Sequence, residues 1–172
     1  MIKLFGALLI LISGSSIGWI FGSIYINRVR ELKELQLSLN IMDTEISYGR
    51  TLLPEALKAA ADVLSSPLSN IFTEAAGMLN KSKSSNFYEI WEKTIKNNYK
   101  KSYLTREDFE IVLNWGRQIG TSTLENQIKI NKLTIKRLEQ HEDIAREIAA
   151  RRVKPVRYAG VLLSLMVIIL FY

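Results

Sequence analysis

The chain has 172 residues, with 23 lysines and arginines against 17 acidic residues and a formal net charge of +6. That length fits one domain rather than two. The chain has no cysteine and one histidine, which excludes disulfide scaffolds, thiol nucleophiles and cysteine-based zinc sites. The charges are unevenly placed, because only Lys3 precedes Arg28 and none follows Arg157. This distribution argues against a uniformly soluble protein.

The amino-terminal end is apolar. Residues 4–26 carry no charge, and at ~1.5 Å per helical residue they are long enough for the ~30 Å hydrocarbon core of a bilayer. We therefore assign residues 1–27 as a transmembrane helix. A cleaved signal peptide is the competing interpretation, but the apolar run continues well past the small residues at 13–15.

The carboxyl-terminal end is also apolar but shorter. Residues 156–172 are uncharged from Tyr158 onward, with Arg157 at the inner edge and Tyr172 at the far interface. A buried core helix is the alternative interpretation. A helix that is apolar on every side fits a membrane better than a domain this small, so we assign a second, short transmembrane helix.

Basic residues beside a membrane span favour a cytoplasmic location for the segment that carries them. They flank the inner end of both spans, at Arg28, Arg30, Lys33, Arg151, Arg152, Lys154 and Arg157. Only Lys3 and the amino terminus oppose them, so we expect a cytoplasmic middle domain with both termini outside. The positive charge then reflects topology and contact with anionic membrane lipids. Nucleic-acid binding is not expected, because no reader motif is present.

Small residues recur at helical spacing in both spans. Gly14, Gly18 and Gly22 share one face of the first helix, and Gly160 and Ser164 are four apart in the second. Small residues at this spacing allow helix backbones to approach closely in lipid. The pattern predicts a packing face toward the second span or toward another copy of the chain.

Residues 28–155 show six helical patterns and no strand alternation. The first continues from the span through Ile46 and ends at Gly49. Pro54 opens the second, which is predicted to carry apolar residues as far as Leu64. Ser66 and Pro67 begin the third, which runs to Leu79.

The remaining helices begin with capping patterns. Asn86 with Glu89 starts the fourth helix, which is predicted to include Tyr99 on its apolar side. Thr105 with Asp108 starts the fifth. Ser122 with Glu125 starts the sixth, which is predicted to end at Pro155. The fold class is therefore all-α: an antiparallel bundle of about six helices between an N-terminal and a short C-terminal transmembrane helix.

No residue is predicted to be catalytic, and no metal or cofactor is expected. His141 is the only histidine, so we interpret it as a surface residue on a charged helix. The acidic residues after Thr105 are interpreted as helix caps, which the helix dipole favours. Trp91 and Trp115 lie on apolar helix faces and are interpreted as core residues rather than the lining of a ligand groove. The chain is not expected to be an enzyme.

The order of several motifs resembles a known family. The segment 48–57 reads YGRTLLPEAL and is followed by Trp91, Gly116, Gly120 and Gln127. Together with the flanking spans and the basic stretch before the second span, these motifs resemble the stage III sporulation protein AB family of endospore-forming Firmicutes. Thr123 stands where the family pattern would place a capping aspartate, and this departure affects one helix start.

The resemblance implies a function in protein transport. The helical domain would be similar to the cytoplasmic domains of inner-membrane platform proteins of type II secretion and type IV pilus systems. The protein would be a platform or scaffold subunit of the channel complex between mother cell and forespore. It would lie on the mother-cell side, in the membrane around the forespore, and would associate with other subunits of that complex. A secretion-type ATPase would be its cytoplasmic partner, and homo-oligomers are possible.

Lys96, Lys100 and Lys101 are a candidate partner interface, because they are expected at the end of the bundle that points away from the membrane, together with the polar segment 81–86. A function of another class is a stand-alone membrane adaptor or sensor, in which the bundle binds a ligand or signals by helix rotation. That alternative favours a domain outside the cell, whereas the basic flanks favour a cytoplasmic one.

Overall fold

The structure is a computed structural model that describes residues 2–49, 51–81, 86–119 and 124–171. Within those residues all regular structure is helical, so the predicted all-α fold class is confirmed. The helices are α1 (Ile2–Ser47), α2 (Leu53–Ala61), α3 (Leu68–Lys81), α4 (Phe87–Asn98), α5 (Arg106–Ile119) and α6 (Leu124–Phe171), with a 3-10 helix at Tyr99–Lys101. Two compact units result: the anchor unit (Met1–Val29 and Ile144–Tyr172) and the bundle unit (Arg30–Asp143).

The bundle unit has a core built on one apolar stripe of α1. Leu32, Leu35, Leu39 and Met42 recur at steps of three and four, and each is at most 2% exposed. Helices α2 to α5 pack in chain order, each against the next. This stripe is the one that the sequence predicts, and its burial supplies the apolar area that stabilises the bundle.

An aromatic cluster fills the space between α3, α4 and α5. Trp91 and Trp115 are 0% and 1% exposed, and their ring centroids lie 5.0 Å apart in an edge-to-face arrangement. Phe72 packs edge-on against Trp91 at 5.0 Å, and Phe87 lies 5.7 Å from Trp91. Both indole N–H groups are satisfied, that of Trp91 by the Val112 carbonyl at 2.9 Å and that of Trp115 by Asn131 Oδ1 at 2.7 Å. The prediction that both tryptophans are core residues is confirmed.

Two of the predicted caps begin helices in the structure. Asn86 Oδ1 accepts a hydrogen bond from the Tyr88 N–H at 3.1 Å and begins α4. The Thr105 N–H donates to Asp108 Oδ2 at 2.8 Å, while Thr105 Oγ1 accepts from the Asp108 N–H at 3.3 Å. This reciprocal pair is a capping box, and it fixes the start of α5.

Two predicted helix ends are wrong by a few residues. Helix α2 stops at Ala61, because the Leu64 N–H bonds to the Ala61 carbonyl in a tighter turn and Ser65 bonds to Glu34. Tyr99 belongs to the 3-10 helix instead of α4 and is 40% exposed.

Pro155 does not end α6, which is also contrary to the prediction. The helix runs uninterrupted from Leu124 to Phe171 with Pro155 inside it. Proline removes one N–H donor, but its ring is exposed here and the flanking turns keep their own hydrogen bonds. The predicted start of α6 at Ser122, the capping position Thr123, the helix end at Gly120 and the polar loop at 82–85 lie outside the described residues.

The close approach of α4 to α5 depends on a glycine. A Cβ at Gly116 would lie 2.0 Å from Trp91 Cδ1, whereas a Cβ at Gly77 in α3 would meet nothing within 4 Å. We therefore expect Gly116→Ala to reduce the free energy of unfolding by about 2 to 3 kcal/mol through overpacking. Gly77→Ala should instead increase it by about 0.5 to 1 kcal/mol, because alanine is the better helix former.

The two variants are a matched pair for urea unfolding of the full chain in detergent micelles. Tryptophan fluorescence in a Trp19→Phe background reports on Trp91 and Trp115 alone. Equal effects of the two substitutions would contradict the proposed backbone approach at Gly116.

Candidate membrane anchor and interaction surfaces

Two helices of the described chain are long and apolar enough to cross a membrane. They are α1 and α6, and only 11% of the apolar window of each is buried inside the protein. Large apolar side chains are exposed along both, for example Trp19 at 62% and Leu163 at 63%. Such continuous apolar surface is characteristic of a helix in lipid.

The small residues of the two apolar segments meet within the anchor unit. A Cβ at Gly14 would lie 2.7 Å from Ser164 Cβ, and a Cβ at Gly18 would lie 3.2 Å from Gly160 Cα. From the other side, a Cβ at Gly160 would lie 2.6 Å from the Gly14 carbonyl oxygen. The backbones of α1 and α6 approach so closely here that only glycine fits at these positions.

Gly22 faces a side chain rather than a backbone. A Cβ at Gly22 would lie 3.2 Å from Arg157 Nε, and the Arg157 guanidinium lies over the Trp19 ring at 3.9 Å from its centroid. The sequence predicts Arg157 at the edge of the span, extending toward water. In the structure the absence of a side chain at Gly22 leaves room for Arg157 to stack on Trp19, an arrangement that a cation–π attraction favours.

A buried and a half-buried carboxylate of α1 hold loops of the bundle unit. Glu31 is 1% exposed, and its Oε2 accepts hydrogen bonds from Ser102 Oγ at 2.6 Å and from the Tyr103 N–H at 2.9 Å. Glu34 accepts from the Ser65 N–H at 2.8 Å and from Ser65 Oγ at 2.9 Å. Burial raises the pKa of Glu31 above its usual value, and the two hydrogen bonds oppose that shift.

Helix α6 is joined to α1 and α5 by further polar contacts. Glu142 Oε2 accepts from Gln36 Nε2 at 2.9 Å, and Lys33 Nζ lies 3.7 Å from Glu142 Oε1. His141 Nδ1 lies 2.7 Å from Oδ1 of the fully buried Asp108. The interpretation of His141 as a simple surface residue is therefore wrong: α5 packs so that its capping aspartate reaches this imidazole.

The basic residues beside the spans differ in their surroundings. Arg30 Nε lies 3.5 Å from Glu34 Oε1, and Arg151 lies 3.8 Å from Glu147. Arg152 and Lys154 are exposed, and Arg28 makes contacts of its own.

The three lysines of the candidate partner interface lie at one end of the bundle unit. Lys96 pairs with Glu92 at 2.8 Å on α4, and Lys100 and Lys101 belong to the exposed 3-10 helix. The next two residues, Ser102 and Tyr103, are those that bond to Glu31. These bonds place the three lysines near the residue at which the bundle part of α1 begins, and their role as a partner interface stays a prediction.

The opposite end of the bundle presents the turn between α1 and α2. Tyr48 is 87% exposed and Leu52 is 70% exposed. The turn is held by Thr51, whose N–H bonds to the Glu45 carbonyl at 3.2 Å and whose Oγ1 donates to Glu45 Oε2 at 2.7 Å. A fixed turn therefore displays two large side chains to solvent.

Sequence reasoning missed the roles of Glu31 and Glu34, although a signal was present. Glu31 and Glu34 lie beside the apolar stripe formed by Leu32 and Leu35, at the boundary that a helical projection places next to the core. In the described part of the chain no group of three or more histidine and acidic residues is placed to hold a metal ion.

The family model for stage III sporulation protein AB matches residues 3–172, essentially the whole chain. The chain belongs to the stage III sporulation protein AB family. The predicted family resemblance is thereby confirmed, and with it a role in sporulation.

Two relatives of this family show how far the similarity extends. Stage III sporulation protein AB of Bacillus subtilis (strain 168) is 29% identical over 170 residues, which cover 99% of each chain. A solved structure of stage III sporulation protein AB (SpoIIIAB) superposes with a TM-score of 0.65 at 28% identity, covering 72% of this chain and 96% of that one. This chain thus shares its fold with an experimentally solved member of the family.

The raised pKa of Glu31 predicts a pH dependence of stability. The folded chain binds a proton at Glu31 more tightly than the unfolded chain does, so the contribution of Glu31 is greatest below its usual pKa of 4.5 and falls as pH rises through the raised value. Glu31→Gln keeps an acceptor for Ser102 and Tyr103 but does not titrate. The free energy of unfolding of the wild type, relative to Glu31→Gln, should therefore decrease from acidic to neutral pH.

Urea unfolding in detergent at several pH values measures this difference. Glu139→Gln removes an exposed carboxyl from α6 and controls for the loss of a charge. If the difference in the free energy of unfolding between the wild type and Glu31→Gln stays constant with pH, burial does not raise the pKa of Glu31.

The contact at Gly18 predicts the behaviour of the two spans. Gly18→Leu should separate α1 from α6, whereas Gly6→Leu should not, because a Cβ at Gly6 meets nothing within 4 Å. The chain has no cysteine, so Ile10→Cys with Val167→Cys, which line one groove between the two apolar segments, provides a specific reporter for a thiol crosslinker in membranes. We expect its yield to fall several-fold with Gly18→Leu.

A mass tag on free thiols and a non-reducing gel distinguish a bond within one chain from a bond between copies. If the crosslink yield is unchanged by Gly18→Leu, the glycine contact does not determine how the two spans pack. A dimer band would show that the face joins two copies.

Proposed function

We propose that this protein is a membrane platform subunit of the secretion-like channel complex needed for endospore formation, and that it couples a cytoplasmic ATPase to transport between mother cell and forespore. Its membership of the sporulation family supports the cellular process. The family resemblance implies a helical domain similar to those of secretion-system platform proteins, and this implied similarity supports the mechanical function. Two apolar helices support a position in the membrane.

The observation that carries this proposal is the continuity of two helices. Helix α1 runs from Ile2 to Ser47 and α6 from Leu124 to Phe171, so each contains a candidate span and also a part of the bundle core. A helix without a break transmits displacement better than a flexible linker does.

The charge distribution supports a cytoplasmic bundle. Basic residues follow the first span and precede the second, and Lys3 alone opposes them. In the sporangium this orientation corresponds to the mother-cell side of the membrane around the forespore. There the bundle would be within reach of an ATPase and of other subunits of the complex.

We assign the turn at residues 48–52 as the surface that faces the ATPase. It follows the carboxyl-terminal end of α1, and Tyr48 and Leu52 are among the most exposed large side chains of the bundle unit. Exposed aromatic and aliphatic side chains on a fixed turn suit a protein interface, because little conformational freedom is lost on binding. In this proposal, ATP chemistry resides in the partner and this chain acts as a scaffold.

A single cysteine one helical turn before Tyr48 tests both the orientation and the surface. Thr44→Cys in the cysteine-free chain places an exposed thiol beside the turn without removing Tyr48 or Leu52. A membrane-impermeant maleimide should label it only after the cells are permeabilised. Co-expression of the ATPase should then slow labelling, because the bound partner covers the thiol.

Two further single-cysteine variants serve as controls for this experiment. Lys132→Cys on the exposed side of α6 should also require permeabilisation but should not be protected by the ATPase. Ile2→Cys should be labelled in intact cells. Labelling of Thr44→Cys in intact cells would defeat the platform proposal and favour a sensor domain outside the cell, whereas cytoplasmic labelling without protection would reject the assigned surface.

A further inference from the structure

The anchor unit carries a guanidinium without an acidic partner. Arg157 forms no ion pair with a described residue, and its Nε is buried with no hydrogen-bond partner among those residues. The two stretches of the anchor unit contain several basic residues but a single acidic one, Glu147, which lies 3.8 Å from Arg151. The positive charge of Arg157 is therefore left for an anion from outside the chain.

The side chain of Arg157 is held in place by α1. Its guanidinium lies over the Trp19 ring at 3.9 Å from the centroid. A Cβ at Gly22 would lie 3.2 Å from its Nε and 3.3 Å from its Cγ, so the side chain rests directly on the glycine backbone. We call Trp19, Gly22 and Arg157 the arginine site. Because the guanidinium is already stacked, little conformational freedom is lost when its two terminal nitrogens bind a ligand.

The backbone of Arg157 lies deeper in the apolar part of the anchor unit than its guanidinium does. A Cβ at Gly18 would lie 3.1 Å from the Arg157 carbonyl oxygen, whereas the guanidinium end of the side chain lies beside Gly22. These two glycines are four residues apart, which is about 6 Å along a helix. The side chain therefore extends toward the cytoplasmic edge of the spans, as arginines within membrane helices do.

The residue types at the arginine site are those of a membrane boundary. Arg157 is the last charged residue before the apolar part of α6, which begins at Tyr158. Trp19 is 62% exposed, and tryptophan is enriched at the level of the lipid headgroups. Both partners of the stacked pair thus favour the depth at which phospholipid phosphates lie.

We propose that the arginine site binds the phosphate of an anionic phospholipid. The terminal nitrogens of Arg157 donate charge-assisted hydrogen bonds to the phosphate oxygens, and Trp19 and Gly22 keep the guanidinium in position. Lys154, three residues earlier and exposed on the same helix, attracts the net negative charge of the headgroup. This inference rests on the membrane location in the proposed function, but not on the ATPase.

The surroundings of the site favour a lipid over a carboxylate from a partner's helix. Only 11% of the apolar window of each helix is buried inside the protein, so the surface beside the site is open to acyl chains. Phosphates surround the whole anchor at this boundary. A carboxylate would require a second helix that carries an acid at the same depth, and such residues are rare in membrane helices.

Native mass spectrometry of the full chain tests the inference. The chain is released from detergent micelles that contain phosphatidylglycerol or phosphatidylcholine, and bound lipid is counted as the lipid concentration rises. Phosphatidylglycerol should bind more tightly, and Arg157→Gln should weaken its tightest site about tenfold, because the charge-assisted hydrogen bonds are lost. Arg152→Gln removes an exposed charge from the same helix and should leave this site nearly unchanged.

Gly22→Leu tests the geometry of the site without changing its charge. The added side chain would occupy the space of Arg157 Nε and Cγ and displace the guanidinium, so binding should weaken to a similar extent. Gly6→Leu is the matched control, because a Cβ at Gly6 meets nothing within 4 Å. Crosslinking of Ile10→Cys with Val167→Cys verifies that the two apolar segments still pack in each variant.

Other results would overturn the inference. Phosphatidylglycerol binding that survives Arg157→Gln or Gly22→Leu, or equal binding of the two lipids, would show that the arginine site does not hold an anionic headgroup. Displacement of the lipid by inorganic phosphate would assign the site to the free ion. Loss of a partner subunit from the purified complex with unchanged lipid binding would assign Arg157 to a carboxylate of that subunit.

The membrane location is tested separately by co-elution of the full chain with lipid nanodiscs. A chain that does not enter nanodiscs would contradict the proposed function itself. A chain that enters them but binds phosphatidylglycerol equally well with and without Arg157 would contradict this inference alone.

Discussion

The bundle unit depends on two carboxylates that α1 carries beside its apolar stripe. A buried carboxylate is costly unless its oxygens accept hydrogen bonds, so Glu31 requires donors close to α1, and the half-buried Glu34 gains from them. The donors come from loops distant in sequence: Ser102 and Tyr103 for Glu31, and Ser65 for Glu34. This requirement ends α2 early, shapes the chain after α4 and places both loops at one end of the bundle.

This requirement also separates two exposed segments of the bundle unit. Because Ser102 and Tyr103 bond to Glu31, residues 99–103 lie near the start of the bundle part of α1. The turn at residues 48–52 is left at the other end of the same helix, with Tyr48 exposed. In the proposed platform, the surface assigned to the ATPase therefore lies at the end of the bundle unit opposite to residues 99–103.

The sequence predicted those features that local rules specify. The apolar stripe of α1, the cap at Asn86 and the capping box at Thr105 follow from spacing and from side chains that bond their own backbone. Spacing also places Gly14 and Gly18 on one face, but it does not say what that face meets. The structure sets them against Ser164 and Gly160 of the same chain, because a backbone without side chains accepts another at close range.

Composition and periodicity by themselves determined the all-α class, the two apolar ends and the six helices, because each depends on neighbours within a few turns. Only the tertiary structure decided that Asp108 meets His141, that Arg157 stacks on Trp19, and that Ser102 bonds to Glu31. Each of these pairs joins residues far apart in the chain, and no pattern of sequence spacing predicts such a contact. Their partners are fixed by the packing of whole helices and by the cost of leaving a buried charge without a hydrogen bond.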